Sequence, residues 1–187
     1  MHDTRPRIEF DAELLLRAQA VRLLVLDVDG VLTPGDLLVG DDGERLKRFS
    51  TLDGHGLKLL AGCGVAVAVL SGRDSPALRW RLGELGLLEQ AMLGRSRKLP
   101  AALSALQALG LAWPQVAVLG DDWPDLPLLV RCGLAACPPQ AHPEVLARVH
   151  HRTRAPAGLG AVREVCDLLL CAQGAYAGLL EQAIEGE

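Results

Sequence analysis

The sequence predicts an α/β domain: a parallel sheet with helices on both faces and a small β-hairpin flap. Three observations lead there. The runs "LLVL" from Leu23, "VAVAVL" from Val65 and "VAVL" from Val116 are short and unbroken in apolar character, as strands buried on both faces must be. Stretches of helical pattern separate them, and alternating strands and helices is how parallel sheets are connected. Each run stops at a polar residue, in "LVLDVDG", "AVLSGR" and "AVLGDDWPD". In such sheets ligands bind beyond the carboxyl ends of the strands, so these endings mark the functional edge.

The elements follow in order. Asp11 is a cap for a helix over 12–20, and a strand runs from Leu23 to Asp27. "DLLVGDDGERLKRF" reads as a hairpin turning at Asp42-Gly43. A helix over 54–61 stops at Gly62 and Gly64, ahead of the strand over 65–70. Ser75-Pro76 starts a helix reaching about Gly86, with the proline in its first turn. "QAML" is a short strand, and a helix over 100–109 ends at Gly110. "VAVLGDD" is a strand, 125–132 a short helix, "GLAAC" a strand and 143–149 a helix. A longer helix covers 161–172. No repeat, low-complexity tract or linker divides the chain, so residues 1–187 read as one domain. It has a flap at about 36–50 and a C-terminal tail at about 155–187.

Composition narrows the function. A chain of 187 residues is long enough for one domain with a substantial core. A net charge of -4 argues against a nucleic-acid or anionic-membrane surface. Aromatic residues make up 3% of the chain, too few for platforms that stack single-stranded bases. No apolar run is long enough to span a bilayer. The stretch "MHDTRPRIEFDAELLLRAQA" carries acids throughout and lacks a secretory apolar segment, so a cytoplasmic protein is expected. Cys63, Cys132, Cys137, Cys166 and Cys171 show no metal-ligand spacing and read as small core residues.

The strand ends carry the chemistry. Asp27 and Asp29 are two residues apart, which in an extended chain sends both side chains to one side. Asp121 and Asp122 arrive from another strand end. Carboxylates converging in a nearly dry place repel one another unless a cation neutralises them. Magnesium prefers one or two carboxylates together with phosphate oxygens and water. Alone, the D-x-D could merely cap a turn. Its ordered company with Ser71, Lys98 and the Asp121 cluster favours a metal-assisted site.

Asp27-Val-Asp-Gly-Val-Leu-Thr33, Ser71, Lys98 and Gly120-Asp-Asp-x-x-Asp125 resemble the four motifs of the haloacid dehalogenase superfamily. The resemblance implies that fold, a magnesium ion and a phosphoryl-transfer reaction. It makes Asp27 the nucleophile. Asp29 becomes the general acid and then the base, with its backbone carbonyl on the metal. Asp121 completes the protein's ligands, Asp122 or Asp125 stands behind them, and Ser71 and Lys98 hold phosphate oxygens. The segments between the motifs leave no room for an inserted cap domain.

A longer set, "DVDGVLTPG", "GERLKRFSTLDGHGLKLL", "LSGRDSPALRWRLGELG", "GDDWPDLP", "AHPEVLARV" and "GLGAVREVCDLLL", is similar to the family of 3-deoxy-D-manno-octulosonate 8-phosphate phosphatases. That resemblance implies a capless, tetrameric, cytoplasmic enzyme of lipopolysaccharide synthesis acting on a sugar-acid phosphate. It places Thr33, Ser50, Thr51, Leu52, Asp53, Gly54, Lys58, Gly72, Arg73, Arg81 and Lys98 against substrate, besides Asp29. Arg73 and Arg81 are the expected partners of the substrate's carboxylate. His55 reads as a solvent-exposed position. A phosphatase of a nine-carbon ulosonate 9-phosphate is the alternative substrate reading, and a non-catalytic binding protein of the same fold the alternative class. With no cap, the site is expected to be completed by a neighbouring subunit. The hairpin and residues 157–163 are the candidates, with Gly158 and Gly160 giving flexibility and Arg163 an anion-binding side chain.

Overall fold

The computed structural model describes residues 7–186. Residues 1–6 of the acidic N-terminal stretch, and Glu187 at the other end of the expected domain, lie outside the described residues. The main sheet has six strands: β1 (Leu23–Leu26), β4 (Ala66–Leu70), β5 (Ala91–Met92), β6 (Val116–Leu119), β7 (Leu134–Cys137) and β8 (His151–Arg152). They lie in the order β5-β4-β1-β6-β7-β8, and every pairing is parallel. The chain builds outward from β1 first on one side and then on the other. The crevice at β1 is therefore where an open α/β sheet binds its ligand.

Strand side chains alternate between two cores. Leu24, Leu26, Val67 and Val69 pack beneath α1 (Ala12–Gln19), α2 (Thr51–Gly62), α3 (Pro76–Glu84) and α7 (Ala161–Ala172). Leu23, Val25, Ala68 and Leu70 pack beneath α4 (Lys98–Leu109), α5 (Leu126–Leu129) and α6 (Pro143–Leu146). Both faces being covered explains why β1 and β6 are apolar at every position. Cys132, Cys137 and Cys166 are buried, Cys63 and Cys171 are partly so, and all five are free thiols.

Several boundaries differ from the sequence reading, each for a local reason. α2 begins a turn early, because the Ser50 hydroxyl accepts from the Leu52 amide and caps it. Gly54 and Gly56 argue against helix on propensity, yet both are buried where Arg81 and Arg163 close in. α4 begins at Lys98, with Pro100 tolerated in the first turn. The expected helix over 125–132 is a 3-10 turn at Trp123–Asp125 followed by α5, and α6 stops at Leu146. Two further elements, β8 and α8 (Tyr176–Glu185), appear where none was expected.

The hairpin comprises β2 (Leu38–Gly40) and β3 (Gly43–Leu46), which pair with each other and with no strand of the main sheet. Its turn is Asp41-Asp42, one residue earlier than expected, and Gly43 opens β3 at φ 93°. Leu38, Val39 and Leu46 are exposed. Among the described residues no helix is long and apolar enough to cross a membrane.

Candidate active site

Three strands deliver the site. Asp27 leaves β1, Ser71 leaves β4 and Asp121 follows β6 after one glycine, while Lys98 opens α4 just past β5. Lys98 is 4% exposed and lies between two carboxylates, its Nζ 2.7 Å from Asp27 Oδ1 and 2.6 Å from Asp125 Oδ1. Oxygens of Asp27, Asp121 and Asp125 all fall within 4.8 Å of one another. The remaining Asp125 oxygen accepts from the Asp121 amide at 3.1 Å, which folds the 3-10 turn back toward Lys98. Gly30 permits this convergence. It sits at φ 85°, and a β-carbon there would lie 2.1 Å from Asp121 Oδ2.

One ammonium among three carboxylates leaves two negative charges uncompensated. Burial and the neighbouring Asp125 push the Asp27 carboxyl up to about 6, against the opposing pull of Lys98. Burial and then Asp27 and Asp125 push Asp121 up to about 8. Burial works to discharge Lys98, but Asp125 and Asp27 prevail and hold its pKa above the ordinary lysine value.

A divalent cation fits this cluster. Asp121 Oδ1 is buried with no hydrogen-bond partner, which a bound ion would satisfy. The donors are hard oxygens, and the surplus charge is that of one Mg2+. Asp27 and Asp121 would hold it with the Asp29 carbonyl, while Asp125 is already committed to Lys98 and backbone amides.

A pH test follows. In metal-free protein the folded state keeps a proton on Asp121 that the unfolded chain releases above 3.8. Stability should therefore fall as pH rises through the interval from that value to about 8, with Asp27 contributing up to about 6. Magnesium binds the deprotonated carboxylates, so its stabilising effect should grow over the same interval. Melting temperatures of chelated protein, with and without added magnesium, measure both trends. A metal-induced gain that is flat with pH would contradict the ligand assignment.

The other expected site residues divide. Ser71 is buried, and its oxygen accepts from the Arg73 amide at 3.1 Å, leaving its proton for an anion. Gly72 is exposed beside it. Asp29 Oδ1 is 2.5 Å from Lys47 Nζ, and Arg73 Nε is 3.9 Å from Asp29 Oδ2. Asp122, Thr51, Leu52, His55 and Lys58 are exposed. Arg81 donates to the Ser50 carbonyl at 3.2 Å and pairs with Glu84 within its own chain.

Three of the expected positions are engaged within the chain. Thr33 is 2% exposed, and its hydroxyl donates to the Val28 carbonyl at 3.3 Å. Asp53 is 1% exposed and accepts from the Gly160 and Arg163 amides, which binds α2 to the start of α7. Residues 157–163 are not a free arm. Ala157 is buried, the Gly158 amide donates to Val31, and a β-carbon on Gly158 would lie 2.7 Å from Pro34. Arg163 pairs with Asp167 at 2.8 Å. It lines a cavity of about 810 Å3 with α1 and the segment after β8, and none of Asp27, Asp29, Ser71, Lys98 or Asp121 borders that cavity. Sequence reasoning also missed Glu44 and Lys47, which pair with each other three residues apart in "GERLK" but whose other partners, Arg73 and Asp29, are distant in sequence.

Comparison with known proteins agrees with this geometry. No family model matches the chain. The chain is 41% identical over 163 residues to the 3-deoxy-D-manno-octulosonate 8-phosphate phosphatase KdsC of Escherichia coli strain K12, covering 87% of this chain and 86% of that protein. Among solved structures, a hydrolase assigned to the haloacid dehalogenase superfamily, subfamily III A, from Legionella pneumophila superposes with a TM-score of 0.87. It shares 38% identity over 94% of this chain and 95% of that one. The 3-deoxy-D-manno-octulosonate 8-phosphate phosphatase of Moraxella catarrhalis, solved with magnesium, phosphate and 3-deoxy-D-manno-octulosonate, gives 0.88 at 32% identity over 92% of this chain and 99% of that one.

Sheet order, converging carboxylates and these likenesses define a capless hydrolase of the haloacid dehalogenase superfamily. Within it, the chain belongs to the 3-deoxy-D-manno-octulosonate 8-phosphate phosphatase family.

Proposed function

We propose that this chain is a magnesium-dependent phosphatase that hydrolyses 3-deoxy-D-manno-octulosonate 8-phosphate to the free sugar acid and phosphate. The observation that carries the reading is the Asp27–Lys98–Asp121–Asp125 cluster at the ends of β1 and β6, in a chain so similar to phosphatases of that sugar acid. When bound, magnesium offsets the negative charge of the phosphoryl group and of its attacker.

This chain's residues supply the rest. Asp27 attacks phosphorus as the bond to the sugar oxygen breaks, giving a phospho-aspartate, and Asp29 gives the departing oxygen its proton. Water then attacks phosphorus, Asp29 takes its proton, and the bond to Asp27 breaks to release phosphate. Ser71 and Lys98 hold the phosphoryl oxygens throughout.

Arg73 is the carboxylate partner best placed to reach substrate, on the exposed loop after Ser71. Arg73→Ala should lower kcat/KM for the sugar acid by about 10- to 100-fold, the worth of a charged hydrogen bond. The loss should appear mainly in KM and should largely spare p-nitrophenyl phosphate. Equal losses on both substrates would count against this role.

The hairpin supports a homotetramer. It is the only element between β1 and β4 besides α2, and a small apolar hairpin needs something to pack against. Cytoplasmic lipopolysaccharide synthesis is the setting that the sequence resemblance implies for this activity. A panel of eight- and nine-carbon sugar-acid phosphates, compared by kcat/KM, tests the substrate. Preference for a nine-carbon ester would overturn it.

A further inference from the structure

Lys47 is a covered charge that the reaction above leaves without a part. Its side chain is 1% exposed, although it follows directly after the exposed β3. Its Nζ lies 2.5 Å from Asp29 Oδ1 and 2.6 Å from Glu44 Oε1. Glu44 Oε2 is in turn 2.8 Å from Arg73, whose Nε is 3.9 Å from Asp29 Oδ2. Asp29, Lys47, Glu44 and Arg73 thus form a closed ring of alternating charge. It joins the β1 loop, the hairpin and the loop after β4. Burying an ammonium is costly unless its partners hold it in good geometry, so this arrangement is a specific one.

The ring acts on Asp29 unequally. One carboxylate oxygen is fixed by a short, part-buried, charge-assisted contact. The other faces only the longer approach of Arg73. A carboxylate that must first protonate a leaving oxygen and then accept a proton from water needs one working oxygen in one place. We propose that Lys47 is the positioning residue of this reaction: it pins Asp29 Oδ1 so that Oδ2 meets the leaving oxygen. The proposal rests on the reading of Asp29 as the general acid and base. The bland alternative is that Lys47 only ties the hairpin to the body.

The two differ in how rate depends on the leaving group. An alkoxide needs a proton as it departs, and p-nitrophenolate does not. The experiment measures kcat/KM with magnesium-loaded, full-length protein on a series running from p-nitrophenyl through phenyl to a simple alkyl phosphate. None of these carries a sugar, so the result is independent of substrate identity. Lys47→Met should slow the alkyl ester by about 100-fold, the effect of misplacing a reacting group by about 1 Å. The p-nitrophenyl ester should lose no more than about 3-fold, so that the dependence on leaving-group pKa steepens. Lys47→Arg keeps the charge with a different reach and should give an intermediate slope. Should Lys47→Met not fold, the slope of Lys47→Arg is read in its place.

Losses equal across the series, or a wild-type slope in the folded Lys47 variant, would overturn the proposal and leave a tether. Asp29→Asn, run in parallel, separates the two levels. If it fails to steepen the slope, the acid role of Asp29 falls. If it steepens the slope and the Lys47 variants do not, only the positioning role of Lys47 falls.

Discussion

Asp27→Asn should stop phosphate release, with kcat falling by at least about 10,000-fold, as when other covalent catalysts lose their nucleophile. The amide is close in shape but is not a competent attacker of phosphorus. Its effect on stability should run the other way. Asp27 is one of three crowded carboxylates, and its carboxyl is pushed up to about 6 by burial and by Asp125. Removing that charge relieves repulsion, while Lys98 keeps Asp125 as a partner. Metal-free Asp27→Asn should therefore melt at or above the wild-type temperature at about pH 8, where Asp27 and Asp121 both press to ionise in the wild type. Phosphate release and thermal unfolding of the same preparations check both halves. Turnover near the wild-type rate would remove Asp27 from its role.

Lys98→Met should damage both properties at once. The methionine fills the space of the lysine stem but leaves Asp27 and Asp125 facing each other without a cation. Losing one partner from a buried ion pair costs about 3–5 kcal/mol, and urea unfolding of metal-free protein at about pH 8 should show a loss of that order. At about pH 5 the penalty should shrink, because the carboxyls can take up protons in place of the missing ammonium. Activity should fall by about 100- to 1,000-fold, the usual effect of deleting one donor to developing negative charge. The stability loss and its pH dependence separate this variant from Asp27→Asn, which shares only the loss of turnover. A stable, active Lys98→Met protein would refute the central place given to this residue.

The parts of this molecule that were legible in the sequence are those whose signal is local. β1, β4 and β6 announce themselves because a strand covered on both faces must be apolar at nearly every position. The polar residues after them stand out against that background. α2 was half hidden, since Gly54 and Gly56 lower helix propensity and the reason for them, side chains arriving from α3 and α7, lies elsewhere in the chain. The site shows the same division. The Asp27, Ser71, Lys98 and Asp121 positions follow from order and spacing. The pairing of the Arg163 amide with Asp53 was not legible because it spans 110 residues. Lys47 was passed over for the same reason, as its partner Asp29 is 18 residues away on a different element. α8 gave little warning, with Gly178 inside it and none of its residues buried.

The placement of β1 gives the molecule two mechanical regimes. It is hydrogen-bonded to strands on both sides along its whole length. Its backbone amides can exchange with solvent only when most of the sheet opens, so the nucleophile rides on the most slowly opening part of the chain. The hairpin pairs only with itself and opens at far lower free energy. The β2–β3 pairing can thus open many times during each opening of β1, and the backbone that carries Asp27 is insulated from that motion.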